Sequence, residues 1–139
     1  MKKVKIGKVV FGGPGLAFIA GPCVIESRAG CVDLAKRLVA LSKKLNAQLV
    51  FKASFDKANR SAISAFRGPG LVEGLEILQE IKESLGVPIC TDIHEPAQAV
   101  AAAMVAPRLA AVSSIQTILS RLRRVSLRRK LRATEVAMA

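Results

Sequence analysis

The stretch QLVFKASFDKANRSAISAFRGPG, Gln48 to Gly70, joins two kinds of sequence that have different physical uses. Leu49, Val50 and Phe51 are a short apolar run of the sort that makes a strand buried on both faces. From Lys52 the chain turns polar, and Lys52, Lys57, Asn59, Arg60, Ser61 and Arg67 fall within sixteen positions. Four cations with interleaved amide and hydroxyl groups, placed straight after a buried strand, suit a phosphorylated anion. The same residues also fit a solvated basic loop, and spacing alone leaves both readings open.

Outward from that strand the pattern repeats. Leu16 to Ala20 reads as an earlier buried strand, Gln48 to Ser54 as the second and Val87 to Ile93 as a third. Between them Ser27 is placed to cap a helix running to about Leu45, with Leu34, Leu38, Leu41 and Leu45 as its apolar stripe. Asn46 is its expected stop. After Gly70 a second helix carries Leu71, Leu75, Leu78 and Leu85 and ends at Gly86. A small hairpin, Val4–Ile6 with Val9–Phe11, precedes the first strand. Strand, helix, strand, helix, strand is the rhythm of a parallel α/β sheet, open or closed into a barrel. In either form ligands sit beyond the carboxyl ends of the strands, and Cys23, Lys52, Asp92 and His94 fall there.

Length and charge set limits. A chain of 139 residues suffices for one core but falls short of a closed eight-stranded barrel, which takes about 250 residues. The hydrophobic share is 51% with five Phe and no Trp or Tyr, so the expected core is aliphatic. The net charge of +12 is uneven: residues 101–139 hold eight Lys or Arg against one Glu. That segment, including SRLRRVSLRRKLRA with Leu122, Val125, Leu127 and Leu131, reads as a solvated amphipathic run, as a patch for acidic partners, or as an out-of-frame continuation. It has no aromatic residue to stack bases, which argues against nucleic acid. Three cysteines, no CxxC pair, no apolar leader and no span of transmembrane length lead to the expectation of a reducing cytoplasm. Cys31 and Cys90 read as core.

FKASFDKANRSAISAFRGPG, with FIAGPCVIES at Phe18–Ser27 and TDIHEP at Thr91–Pro96, resembles the 3-deoxy-8-phosphooctulonate synthases (2-dehydro-3-deoxyphosphooctonate aldolases). The three motifs stand in the family's order over about residues 1–100, while residues 101–139 show no such motif. The resemblance implies an incomplete (β/α)8 TIM barrel, its first three or so βα units preceded by the hairpin. It implies an aldol-type condensation of phosphoenolpyruvate with arabinose 5-phosphate, which leads to a lipopolysaccharide sugar precursor. On the matching positions Lys52 would take the phosphoenolpyruvate carboxylate, with Ser54 nearby. Lys57 would lie between the substrates, Asn59 would hold sugar hydroxyls, and Arg60 with Ser61 would hold the sugar phosphate. Asp92 would accept from sugar hydroxyls, and His94 would stand near the chemistry, although as a lone His it reads equally well as a packing or capping residue. Arg67 reads as structural.

Within the family, Cys at the position of Cys23 marks the members that use a divalent metal (Zn, Fe or Mn). Spacing alone reads Cys23 as a small core residue. The other metal ligands have no counterparts in this chain, so little or no turnover is expected of it alone. The alternative is a noncatalytic fragment that binds phosphosugars or an acidic partner. The family resemblance also leaves room for a homo-oligomer.

Overall fold

The computed structural model describes residues 3–57 and 66–106. Its central strand is β4 (Gln48–Lys52), counting β1 (Val4–Ile6), β2 (Val9–Phe11) and β3 (Ala17–Ala20) before it and β5 (Ile89–Cys90) after it. β3, β4 and β5 form a parallel sheet in sequential order, with Phe18 opposite Leu49 and Phe51 opposite Ile89. The helices are α1 (Arg28–Lys44), α2 (Leu71–Leu85) and α3 (Gln98–Val105). Flanked on both edges and covered on both faces, β4 is apolar at every interior position, and Val50 and Phe51 are wholly buried.

The two faces differ in kind. Leu49 and Phe51 point into the larger core with Ile89, Phe55, Leu75, Ile77, Leu78 and Ile81. Burying a Phe of this sort contributes roughly 1.5–3 kcal/mol. α1, α2 and α3 all pack into that one cluster, so the helices lie on one side of the sheet. Val50 and Cys90 point the other way, onto Ile6 and Val9 of the hairpin. Antiparallel pairing of β1 and β2 is locked to the start of β4, where the Gln48 side-chain oxygen accepts from the Val10 N–H at 2.7 Å. The hairpin thus closes the amino end of the sheet and leaves the carboxyl end clear.

Helix ends follow their residues. Ser27 is extended and accepts from the Gly30 N–H, a cap worth about 1 kcal/mol. Asn46 takes a left-handed φ of 49° just past α1, and Gly86 one of 60° after α2. The expected stripe on α1 holds in part, since Leu38 packs against the core. The buried positions of the helix are Cys31, Ala35 and Ser42, while Leu41 and Leu45 are 47% and 56% exposed. Small side chains let the helix axis approach the sheet and α2, which leucines at those positions would prevent. The strands are also shorter than their apolar runs. Pro88 accepts from the Phe51 N–H through its carbonyl but has no N–H of its own, so the β5 ladder begins only at Ile89.

Cys31 and Cys90 are buried, and burial pushes both thiols up to about 11, whereas Cys23 is exposed. One thiol, that of Cys23, is therefore expected to react rapidly with a disulfide reagent near neutral pH, and the other two only on unfolding. Between pH 9 and 11 the unfolded chain releases protons that the folded chain keeps. Stability should therefore fall across that window, read as a declining urea midpoint. Three equally fast thiols in native conditions would contradict this packing.

Candidate functional site at the carboxyl edge

The carboxyl edge is built around two points where the end of β3 is pinned to the line of β4. At the first, Gly21 passes so close to β4 that a Cβ there would lie 1.9 Å from the Lys52 carbonyl oxygen. At the second, Val24 forms a parallel bridge with Ser54, and the Ile25 N–H donates to the Ser54 carbonyl at 2.9 Å. Pro22 and Cys23 bulge out between them, which is why Cys23 is exposed.

Lys52 pairs with Cys90 in register, so its side chain shares a face with that of Asp92, two residues further on. The Lys52 ammonium meets the Asp92 carboxylate at 2.6 Å, with both side chains about a fifth exposed (21% and 22%). An ammonium has three donors. Asp92 holds the charge in place and leaves donors for a ligand.

A second cluster gathers on Asp56. Its carboxylate takes a bidentate contact from Arg67, at 3.0 Å from Nε and 2.6 Å from Nη2. The hydrogen bond and charge of Asp56 raise the Arg67 guanidinium above its ordinary value. The Asp56 carbonyl accepts from the Ser54 hydroxyl at 2.6 Å and from His94 Nε2 at 3.0 Å, which places the proton of that imidazole on Nε2. The His94 ring meets Phe55 edge-on, with centroids 5.9 Å apart. The His94 backbone N–H donates to the Gln98 side-chain oxygen at 2.8 Å. The Lys57 N–H donates to the Arg67 carbonyl at 2.7 Å, and this bond ties together the two ends of the basic loop. Gly68 and Gly74 press against Phe55, whose burial fixes the base of the loop.

Lys52, Asp92, Ser54 and His94 are thus placed by one sheet edge, and Lys57 is exposed beside it. Ser54 is buried, its hydroxyl engaged within its own turn. Asn59, Arg60 and Ser61 lie outside the described residues. Sequence reasoning alone does not single out Asp56. The available signal was its position as the one acidic residue in an otherwise cationic loop, a natural partner for a following Arg. Among the described residues no group of three His, Cys, Asp or Glu could hold a metal ion, and Cys23 supplies a single thiol. The donors present do not make a metal site by themselves.

Residues 2–123 match the family model of the DAHP synthetase I family. The chain belongs to that family. The match continues past residue 100, where the motif resemblance stops. Similar proteins of this family include the 2-dehydro-3-deoxyphosphooctonate aldolase of Geobacter sulfurreducens, 50% identical over 105 residues, which are 75% of this chain and 39% of that protein. The enzymes of that name from Trichlorobacter lovleyi and Koribacter versatilis are 51% and 49% identical, over 75% and 70% of this chain and 39% and 35% of theirs. The chain therefore spans about two fifths of the length of these relatives (39%). Among the described residues no helix is long and apolar enough to cross a membrane.

A methyl group at position 21 has nowhere to go, because its neighbour is backbone. Gly21→Ala should cost about 3 kcal/mol, read from the urea midpoint, as overpacking against an immovable carbonyl does. A change below about 0.5 kcal/mol would mean that β3 and β4 do not run this close.

Proposed function

We propose that this edge is the anion-recognition part of a site for phosphoenolpyruvate and arabinose 5-phosphate. The reaction would be the aldol-type condensation giving 3-deoxy-8-phosphooctulonate and phosphate. The observation that carries the reading is the Lys52–Asp92 pair, a partly buried cation and anion fixed side by side at the ends of adjacent parallel strands. It is supported by membership of the DAHP synthetase I family and by relatives named for the corresponding aldolase. The sequential strand order, with its helices on one face, also supports reading the sheet as the opening units of a β/α barrel.

Each residue then has a physical task. Lys52 meets the phosphoenolpyruvate carboxylate with the donors that Asp92 leaves over, while Asp92 accepts from a sugar hydroxyl through its other oxygen. Lys57 stands between enol carbon and aldehyde, Asn59 takes sugar hydroxyls, and Arg60 with Ser61 takes the sugar phosphate. His94, its ring held by Phe55 and the Asp56 carbonyl, bounds the reacting centre. The carbon–carbon bond forms between the enol methylene and the sugar aldehyde. Water adds at the enol carbon, and the phosphate departs with its bridging oxygen. Cys23 would present one sulfur ligand toward a divalent metal.

Calorimetry on the full chain tests the reading. Phosphoenolpyruvate and arabinose 5-phosphate should each bind. Lys52→Ala should weaken phosphoenolpyruvate at least about tenfold, the loss expected for one charge-assisted hydrogen bond. Arg60→Ala should remove arabinose 5-phosphate binding. Absence of heat with both ligands, or equal affinities in Lys52→Ala and the parent chain, would overturn the assignment.

A further inference from the structure

Away from the carboxyl edge, α2 and α3 enclose a groove of about 1040 Å³ lined by Leu71, Val72, Leu75, Met104 and Val105, with Glu76, Glu80 and Glu83 along it. Its apolar rim is open to solvent: Val72 is 74% exposed and Met104 78%. The charge is one-sided. Arg28, from α1, reaches Glu80 at 2.7 Å and Glu76 at 3.6 Å, and Glu83 is met by the Gln79 amide group. The Gln79 amide oxygen is itself buried in the groove with no hydrogen-bond partner among the described residues. The acidic lining and the open apolar rim together suit an occupant that brings positive charge and aliphatic side chains.

The chain contains one such segment. Residues 121–132, RLRRVSLRRKLR, combine seven Lys or Arg with Leu122, Val125, Leu127 and Leu131, and include no acidic residue. The tether permits it: Val105 ends α3 and lines the groove, so fifteen residues, able to span about 50 Å, separate it from Arg121. The whole of α2, fifteen residues long, covers only about 22 Å. We propose that the α2/α3 groove is the docking surface for this chain's own basic segment 121–132. Arginines would meet Glu76, Glu80 and Glu83, and the aliphatic residues would cover Val72 and Met104. This placement does not rest on the synthase reading.

Zero-length coupling of the full chain tests it, because Lys130 is the sole lysine after Ala106. A water-soluble carbodiimide activates a carboxylate, the Lys130 amine attacks the acyl carbon, and an amide forms as the urea leaves. Links outside the tail should join Lys130 to Glu76, Glu80 or Glu83 within one chain, as judged by mixing light and 15N-labelled protein. They should fall several-fold at about 1 M salt, where the screening length is about 3 Å. Met104→Lys, at an exposed position that leaves every carboxylate in place, should reduce them at least about fivefold. Three outcomes would overturn the proposal: links spread evenly over Glu26, Asp33 and Glu95; links only between light and heavy chains, which would mean docking on a second copy; or yields unmoved by Met104→Lys.

Discussion

The placement of the candidate site depends on how closely β3 and β4 run together where the Gly21 backbone lies against the Lys52 carbonyl. A side chain at position 21 would push the strands apart at the point where β4 delivers Lys52. The close approach also explains the outward bulge of Pro22 and Cys23: the chain is tight at Gly21, tight again at Val24, and has surplus length between. The same register carries across to β5, where Lys52 is opposite Cys90 and so lies diagonal to Asp92. The ion pair at 2.6 Å is a consequence of strand register before it is a consequence of charge.

The two faces of the sheet divide the labour. Helices on one face supply most of the buried apolar area, and the hairpin covers the amino end of the other through Ile6 and Val9. Backbone polar groups of β4 are paired on both edges, so this strand can be wholly apolar without leaving unsatisfied N–H or C=O groups inside. Polar chemistry is then confined to the strand ends, where side chains can be partly desolvated and held at fixed geometry. That is the condition under which a Lys–Asp pair discriminates between ligands, since fully exposed pairs are weak and mobile.

Much of this was legible in the sequence because it is written in short-range rules. Apolar runs marked all three parallel strands, Ser27 and Gly86 marked helix ends, and the hairpin followed from alternation around Gly7 and Lys8. Lys52 and Asp92 were identifiable as strand-end residues, but their contact was not, because it requires the β4–β5 register. The α1 stripe was legible only in part for a related reason: Leu38 packs on the core, whereas Leu41 and Leu45 stay exposed. Leucine spacing reports which positions are apolar, whereas the buried face was set by which side chains are small enough for close approach, namely Cys31, Ala35 and Ser42. Asp56 escaped notice because its role comes from partners on either side of a loop, Ser54, Arg67 and His94, and not from any periodicity.

The contrast between the two ion pairs at the edge suggests why they are built differently. Arg67 is more than half exposed and meets Asp56 through a planar fork, a geometry that fixes direction and therefore suits the base of a loop. Lys52 is a point charge on a flexible stem, only a fifth exposed, and its single contact with Asp92 restricts the stem without exhausting the ammonium. Exchange of the two cation types would invert these properties. An arginine in place of Lys52 could spend two donors on Asp92 and would need room for a larger planar group beside the close Gly21 crossing. A lysine in place of Arg67 would hold Asp56 through one bond and lose the directional control of the loop base. Residue type at each position thus follows from whether the cation must orient a backbone segment or remain available to an incoming anion.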